Sequence, residues 1–168
     1  MLYDCVAATS YGMRGFSLIE VITSIAILTV GIAGSLALIN RTISATSFVR
    51  NQFIAWQLAQ EGMEVVHNIR NTNWVENVAW DDGLAEGASF CVNYDSTSLI
   101  SPCVGTARDL YIVGNRYVHT PGSTTGFSRY IEVADEFDID GVANKRIQST
   151  VSWGNNTISA EERLYDWR

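Results

Sequence analysis

The chain has 168 residues, 47% apolar and 17% charged, which suits a domain with one appended element and excludes a disordered tail or a large multidomain machine. Two prolines and the lack of a repeated unit exclude collagen-like, proline-rich and solenoid classes. A formal net charge of −7 argues against broad electrostatic binding to nucleic acid or anionic lipid.

Residues 11–24 read YGMRGFSLIEVITS. Within them Ser17-Leu18-Ile19-Glu20 has the form of a capping box, so a helix is predicted to start near Phe16 behind a short arm. No charge falls between Glu20 and Arg41. Val21–Asn40 is a run of about 30 Å as a helix, the thickness of a bilayer's hydrocarbon core. It is apolar all round, which fits a membrane span or the buried core of an assembly. A conventional secretory signal fits less well, because the apolar stretch exceeds the usual ~15 residues and the arm has only Arg14, offset by Asp4.

From Arg41 to about Asn71 the spacing predicts an amphipathic continuation. Val49, Phe53, Trp56, Gln60, Met63, Val66 and Arg70 form one stripe, and Ala55, Leu58, Gly62, Val65 and Ile69 a second beside it. No proline precedes Pro102, so one helix over Phe16–Arg70, about 80 Å long, is expected, with Asn71, Asn73 and Trp74 ending it. Gly31 and Gly34 suit a close approach by another helix.

Beyond Asn71 the period becomes two. Strands are predicted at Ser89–Asn93, at Leu110–Val113 continuing to Tyr117–His119, at Phe127–Val133, at Arg146–Trp153 and at Ile158–Asp166. Phe127, Arg129, Ile131 and Val133 share one face, as do Ile147, Ser149, Val151 and Trp153. Gly154-Asn155-Asn156 and Asp140-Gly141 read as turns. The fold class is therefore α+β: a long N-terminal helix packed on a small antiparallel β-sheet head. Residues 71–168 hold seven basic and fourteen acidic side chains, the whole of the net charge.

Arg14-Gly15-Phe16-Ser17-Leu18-Ile19-Glu20 resembles the processing site of type IV prepilins and type II secretion pseudopilins, and the apolar helix behind it extends the resemblance to some thirty residues. The resemblance implies cleavage by a prepilin peptidase between Gly15 and Phe16, N-methylation of Phe16, and an assembly role for Glu20, paired with the terminal amine of a neighbouring subunit. It divides the chain into a leader (1–15), a transmembrane and filament-core helix (16–40), an amphipathic helix entering the head (41–72) and the β head (73–168). The partners implied are other pilin subunits, the peptidase and a pilus or secretion assembly platform. The location implied is the cytoplasmic membrane as a single-pass precursor, then an extracellular pilus or a periplasmic pseudopilus. Ala37 stands where major type IVa pilins commonly carry proline, which points to a minor pilin, with a pseudopilin as the alternative. Segments 56–64, 68–71, 125–131, 151–153 and 164–167 are similar to parts of minor-pilin-like heads. A reading of another class is a membrane-anchored binding module, an adhesin or DNA-uptake tip. The flanking charges, Arg14 before the span and Arg41 and Arg50 after it, give that topology no support from the positive-inside rule.

Cleavage would discard Cys5 and leave Cys91 and Cys103 in a head outside the cytoplasm, where a disulfide is expected. No cofactor is expected. Asp135, Asp138, Asp140 and Asn144 are rich in oxygen, but their spacing departs from the EF-hand loop, so a solvated turn is preferred to a calcium site. Asp81-Asp82-Gly83 is a weaker candidate still. His67 and His119 lie near no nucleophile elbow, zinc signature or phosphate loop, so no enzyme is expected.

Overall fold

The structure is a computed structural model and describes residues 15–137 and 141–166. Its elements are one helix, α1 (Leu18–Glu76), a 3₁₀ turn (Gly105–Arg108) and six strands. The strands are β1 (Gly87–Phe90), β2 (Asp109–Val113), β3 (Arg116–Val118), β4 (Ser123–Phe137), β5 (Ala143–Trp153) and β6 (Asn156–Tyr165). The chain divides into two compact units between Thr46 and Ser47.

The described part of the first unit is the start of α1 with the residues just before it. The amides of Glu20 and Val21 donate to the Ser17 carbonyl at 3.0 and 3.2 Å, and neither side-chain bond of the expected capping box forms among the described residues. The backbone turn alone closes the first loop of helix, so its start falls at Leu18 rather than Phe16. Every described residue of this unit is exposed, including Phe16, Leu18, Ile27 and Val30. The four hydroxyls within Val21–Asn40 turn back onto their own helix. Thr23 donates to the Ile19 carbonyl at 2.9 Å, Ser24 to Glu20 at 2.7 Å, Thr29 to Ile25 at 2.7 Å and Ser35 to Gly31 at 2.9 Å. A stretch that is apolar by composition thus presents almost no unpaired donor to its surroundings. The helix is long and apolar enough to cross a membrane.

In the second unit the rest of α1 packs on a sheet of order β3-β2-β4-β5-β6, with β1 also paired to β4. All pairings are antiparallel, and β4 and β5 run in register from Phe127↔Trp153 to Phe137↔Ala143. The helix buries Ala55, Leu58, Ala59, Gly62, Met63, Val65, Val66 and Ile69. The second stripe and the later part of the first, Met63, Val66 and Arg70, together make the core face, while Val49, Phe53 and Trp56 of the first stay exposed. Ala55, Ala59 and Gly62 let the backbone approach the sheet closely. A Cβ at Gly62 would lie 2.7 Å from Ser149 Oγ and 3.0 Å from Ile131 Cδ1.

Two apolar clusters fill this interface. One gathers Met63, Val66, Ile69, Leu84, Val92, Ile131 and Ile147. The other gathers Ala55, Leu58, Leu110, Phe127, Val151 and Trp153. The face expected from alternation, Phe127 to Val133 on β4 and Ile147 to Trp153 on β5, is the buried one.

Besides the helix start, several boundaries differ from the sequence expectation, and β4 and β5 extend beyond the expected Phe127–Val133 and Arg146–Trp153. The helix runs on to Glu76, where Asn77 takes φ +57° and the amides of Asn77 and Val78 donate to the carbonyls of Trp74 and Asn73, a Schellman ending with asparagine in place of glycine. Asn73 does not break the helix; its side-chain amide donates to the carbonyls of Trp80 and Asp82 and anchors the following loop. The strand expected to continue from Leu110 to His119 is a hairpin, because Gly114 and Asn115 take φ +56° and +65° and reverse the chain between β2 and β3. The first strand ends at Phe90, and Cys91 makes only an isolated bridge to Ile100.

Candidate functional site

The site singled out by sequence lies at the start of α1. Gly15, Phe16 and Ser17 precede the helix in irregular backbone, a form a protease can bind as an extended strand. Phe16 is 82% exposed, and a Cβ at Gly15 would meet nothing within 4 Å. Among the described residues nothing crowds the amide bond between them. Glu20 lies one turn into the helix and lines a shallow surface with Phe16, Val21, Ser24 and Ile25. It is the sole carboxylate of the first turn, where the helix dipole favours negative charge. Among the described residues no cation pairs with it. A lone carboxylate on an exposed apolar helix is costly in lipid, and an ammonium brought by a second molecule offsets that cost.

In the head, Cys91 and Cys103 form the expected disulfide, with Cα atoms 5.2 Å apart. β2 and β1 share one edge of β4, paired to its two halves, and the disulfide lies where they separate, with Cys103 Sγ 3.8 Å from the Arg129 carbonyl. Backbone bonds hold both ends of the loop: Cys91 and Ile100 exchange two, at 2.9 and 3.0 Å, and the Cys103 amide donates to Ser89 at 3.1 Å. The Ser89 hydroxyl also donates to the Cys103 carbonyl. Arg108 adds Nε to that carbonyl at 3.0 Å and Nη2 to Ser89 Oγ at 2.9 Å, its guanidinium 4.0 Å over the Tyr130 ring.

His119 follows β3, its amide bonded to Asn93 Oδ1 at 2.8 Å and its Nδ1 3.0 Å from the Ala107 carbonyl. Burial first, then the positive charge of Arg129, pushes its pKa down to about 4. It is neutral at physiological pH. His67, read as a helix-face residue, meets Glu162 of β6 at 2.8 Å.

Arg129 and Lys145, both buried, were not singled out as sites by the sequence. Arg129 is fully buried, donating from Nη1 to the Leu58 carbonyl at 2.8 Å and to Glu61 at 3.2 Å, and from Nη2 to the Val92 carbonyl at 2.7 Å. Alternation placed it on the inner face, and that position was the available signal. Burial lowers its pKa and Glu61 opposes the shift. Lys145 meets Asp135 at 2.5 Å and Asp81 at 3.4 Å. Two of the acids considered for calcium thus serve an ammonium, and the Asn144 amide turns to the Val142 carbonyl. Asp138 and Asp140 lie outside the described residues.

An open groove of about 350 Å³ lies where the register between β2 and β4 shifts, lined by Asp109, Tyr111, Thr125, Phe127 and Trp153 among others. Gly126, at φ +75°, makes that irregularity possible.

Comparison with known proteins bears on the N-terminal site. Residues 1–14, including most of the expected leader and Arg14, lie outside the described residues. No curated protein and no solved structure matches the chain significantly. Residues 12–36 match the family model described as the prokaryotic N-terminal methylation motif, the type IV prepilin-type signature. With the apolar helix that carries it, the motif supports a type IV pilin-like or pseudopilin precursor anchored in a membrane, a structural subunit rather than an enzyme.

Proposed function

We propose that this protein is a minor subunit of a type IV pilus or related filament. It is made as a single-pass membrane precursor, cut between Gly15 and Phe16 by a prepilin peptidase and methylated on Phe16. The observation that carries the reading is the methylation motif over residues 12–36 at the head of an apolar helix with every side exposed. Such a surface is stable only in lipid or against other apolar helices. Assembly transfers it from the first to the second, with Glu20 pairing to the amine of the neighbouring Phe16 and setting the stagger between subunits. The β head then lies on the filament surface. The absence of proline at position 37 favours a minor subunit over a major one, and a type II secretion pseudopilin is the second reading on the same ground.

Mass spectrometry of the mature N-terminus tests the processing step: methylated Phe16 is expected, and an intact Met1 in a cell that holds the peptidase overturns it. Glu20→Ala is expected to leave cleavage intact while cutting filament incorporation at least about tenfold, the equivalent of one buried ion pair of ~1.4 kcal/mol or more. Full incorporation of that variant removes Glu20 from the assembly step. Loss of the chain from sheared filaments on deletion of the pilus platform, but not of a secretion platform, separates the two systems.

A further inference from the structure

The ligand atoms of Cys91, Cys103 and His119 lie within 4.8 Å of one another. Both sulfurs belong to buried residues, and the imidazole is half-buried. Nδ1 of His119 faces the Ala107 carbonyl, which fixes the proton there, while the buried Nε2 finds no hydrogen-bond partner among the described residues. The same carbonyl oxygen stands 3.1 Å from Cys91 Sγ, so an oxygen donor borders the space the sulfurs and the ring share. Backbone bonds of Cys91 with Ile100 and of Cys103 with Ser89 tie each cysteine to its neighbouring chain in addition to the sulfur–sulfur bond.

We propose that the thiol form of this head binds one Zn²⁺ through Cys91, Cys103 and His119. Two sulfurs and one imidazole are a donor set zinc favours, with a fourth position left for water. Two thiolates also cancel the charge of the metal, so the buried site carries no net charge. Binding forms two Zn–S bonds and one Zn–N bond to the neutral imidazole, breaks two S–H bonds and releases two protons to solvent. The thiol form is the chain before oxidation, or the chain after a dithiol reductant has taken the disulfide through exchange and become a disulfide itself. When a catalyst's disulfide oxidises the pair, the two thiolates give up two electrons, the Cys91–Cys103 bond forms, the catalyst becomes a dithiol by taking up two protons, and Zn²⁺ leaves unchanged in oxidation state. The metal thus protects the thiols until the head is locked.

Titration of the full chain in detergent micelles, with Zn²⁺ against a chromogenic chelator and with Co²⁺ by absorbance, tests this. The oxidised chain is compared with chain reduced by a phosphine. One zinc per reduced chain, none per oxidised chain, and a thiolate-to-cobalt charge-transfer band are expected, with His119→Gln weakening zinc binding at least about tenfold. A reduced chain that takes up no zinc overturns the proposal, and so does an H119Q affinity equal to that of the unaltered chain. Cooperative urea unfolding of H119Q at neutral pH reports that its head folds.

Discussion

Gly62 and Ser149 set how near the helix comes to the sheet. The 2.7 Å that a Cβ would leave between them is tighter than side chains tolerate, so a branched residue must push α1 off β5 or force Ser149 and Ile131 from their rotamers. Gly62→Val is expected to cost about 2–3 kcal/mol in urea unfolding of the head. Gly31→Val, where a Cβ meets nothing within 4 Å, is expected to leave that transition in place. His119 ties stability to pH at the same scale. Its folded pKa of about 4 lies below the unfolded value of 6.5, so the unfolded chain takes up the proton first as pH falls. Its contribution is full above pH 6.5 and is lost between 6.5 and about 4. After allowance for the ring's exposed part, the loss is about 2 kcal/mol. The urea midpoint at pH 7.5 and 4.5 checks it, and H119Q is expected to flatten the difference between the two pH values.

Among elements, those with strong period were legible from sequence and those set by single dihedrals or by packing were not. Alternation in β4 and β5 located the core face to the residue, Arg129 included, because every second side chain of a strand must share a side. The helix was legible in its length and in most of its inner face. Both stripes are buried from Gly62 onward, and only the early bulky positions, Val49, Phe53 and Trp56, depart from that expectation by staying exposed. The β2–β3 reversal rests on Gly114-Asn115, a turn signal between two apolar runs that the continuous strand reading passed over. Asn77 ended the helix by a left-handed residue beyond the expected stop at Asn71–Trp74. The N-terminal site was legible as a motif, while the ion pairs of Arg129 with Glu61 and of Lys145 with Asp81 join residues far apart in the chain and leave no local trace. The Cys91–Cys103 loop is short, and closing it is worth ~3 kcal/mol in the chain-entropy model. Cys91→Ser with Cys103→Ser is therefore expected to lower the unfolding free energy of the head by about that amount, read from guanidinium melts.

Over the whole molecule, charge is partitioned as sharply as hydrophobicity. The span between Glu20 and Arg41 carries none, and residues 71–168 carry all −7. The partition matches the two environments the proposed function requires, one dry and one aqueous. Charge inside the head is spent in pairs: Glu136 accepts from Arg146 at 2.7 Å and from Arg163 at 3.2 Å, which holds its carboxyl below its usual range and relieves the two arginines that face each other across β5 and β6. The four hydroxyls of the apolar span carry a different consequence. Each is already committed to a carbonyl one turn back, so the stem asks nothing polar of whatever surrounds it. Exchanging lipid for protein then leaves its hydrogen-bond inventory unaltered, and the infrared amide I band of the stem is expected at the same frequency in bilayer and in filament. Such a helix can travel between solvents of the same polarity as a finished part, reversibly, with no bond to remake on either side.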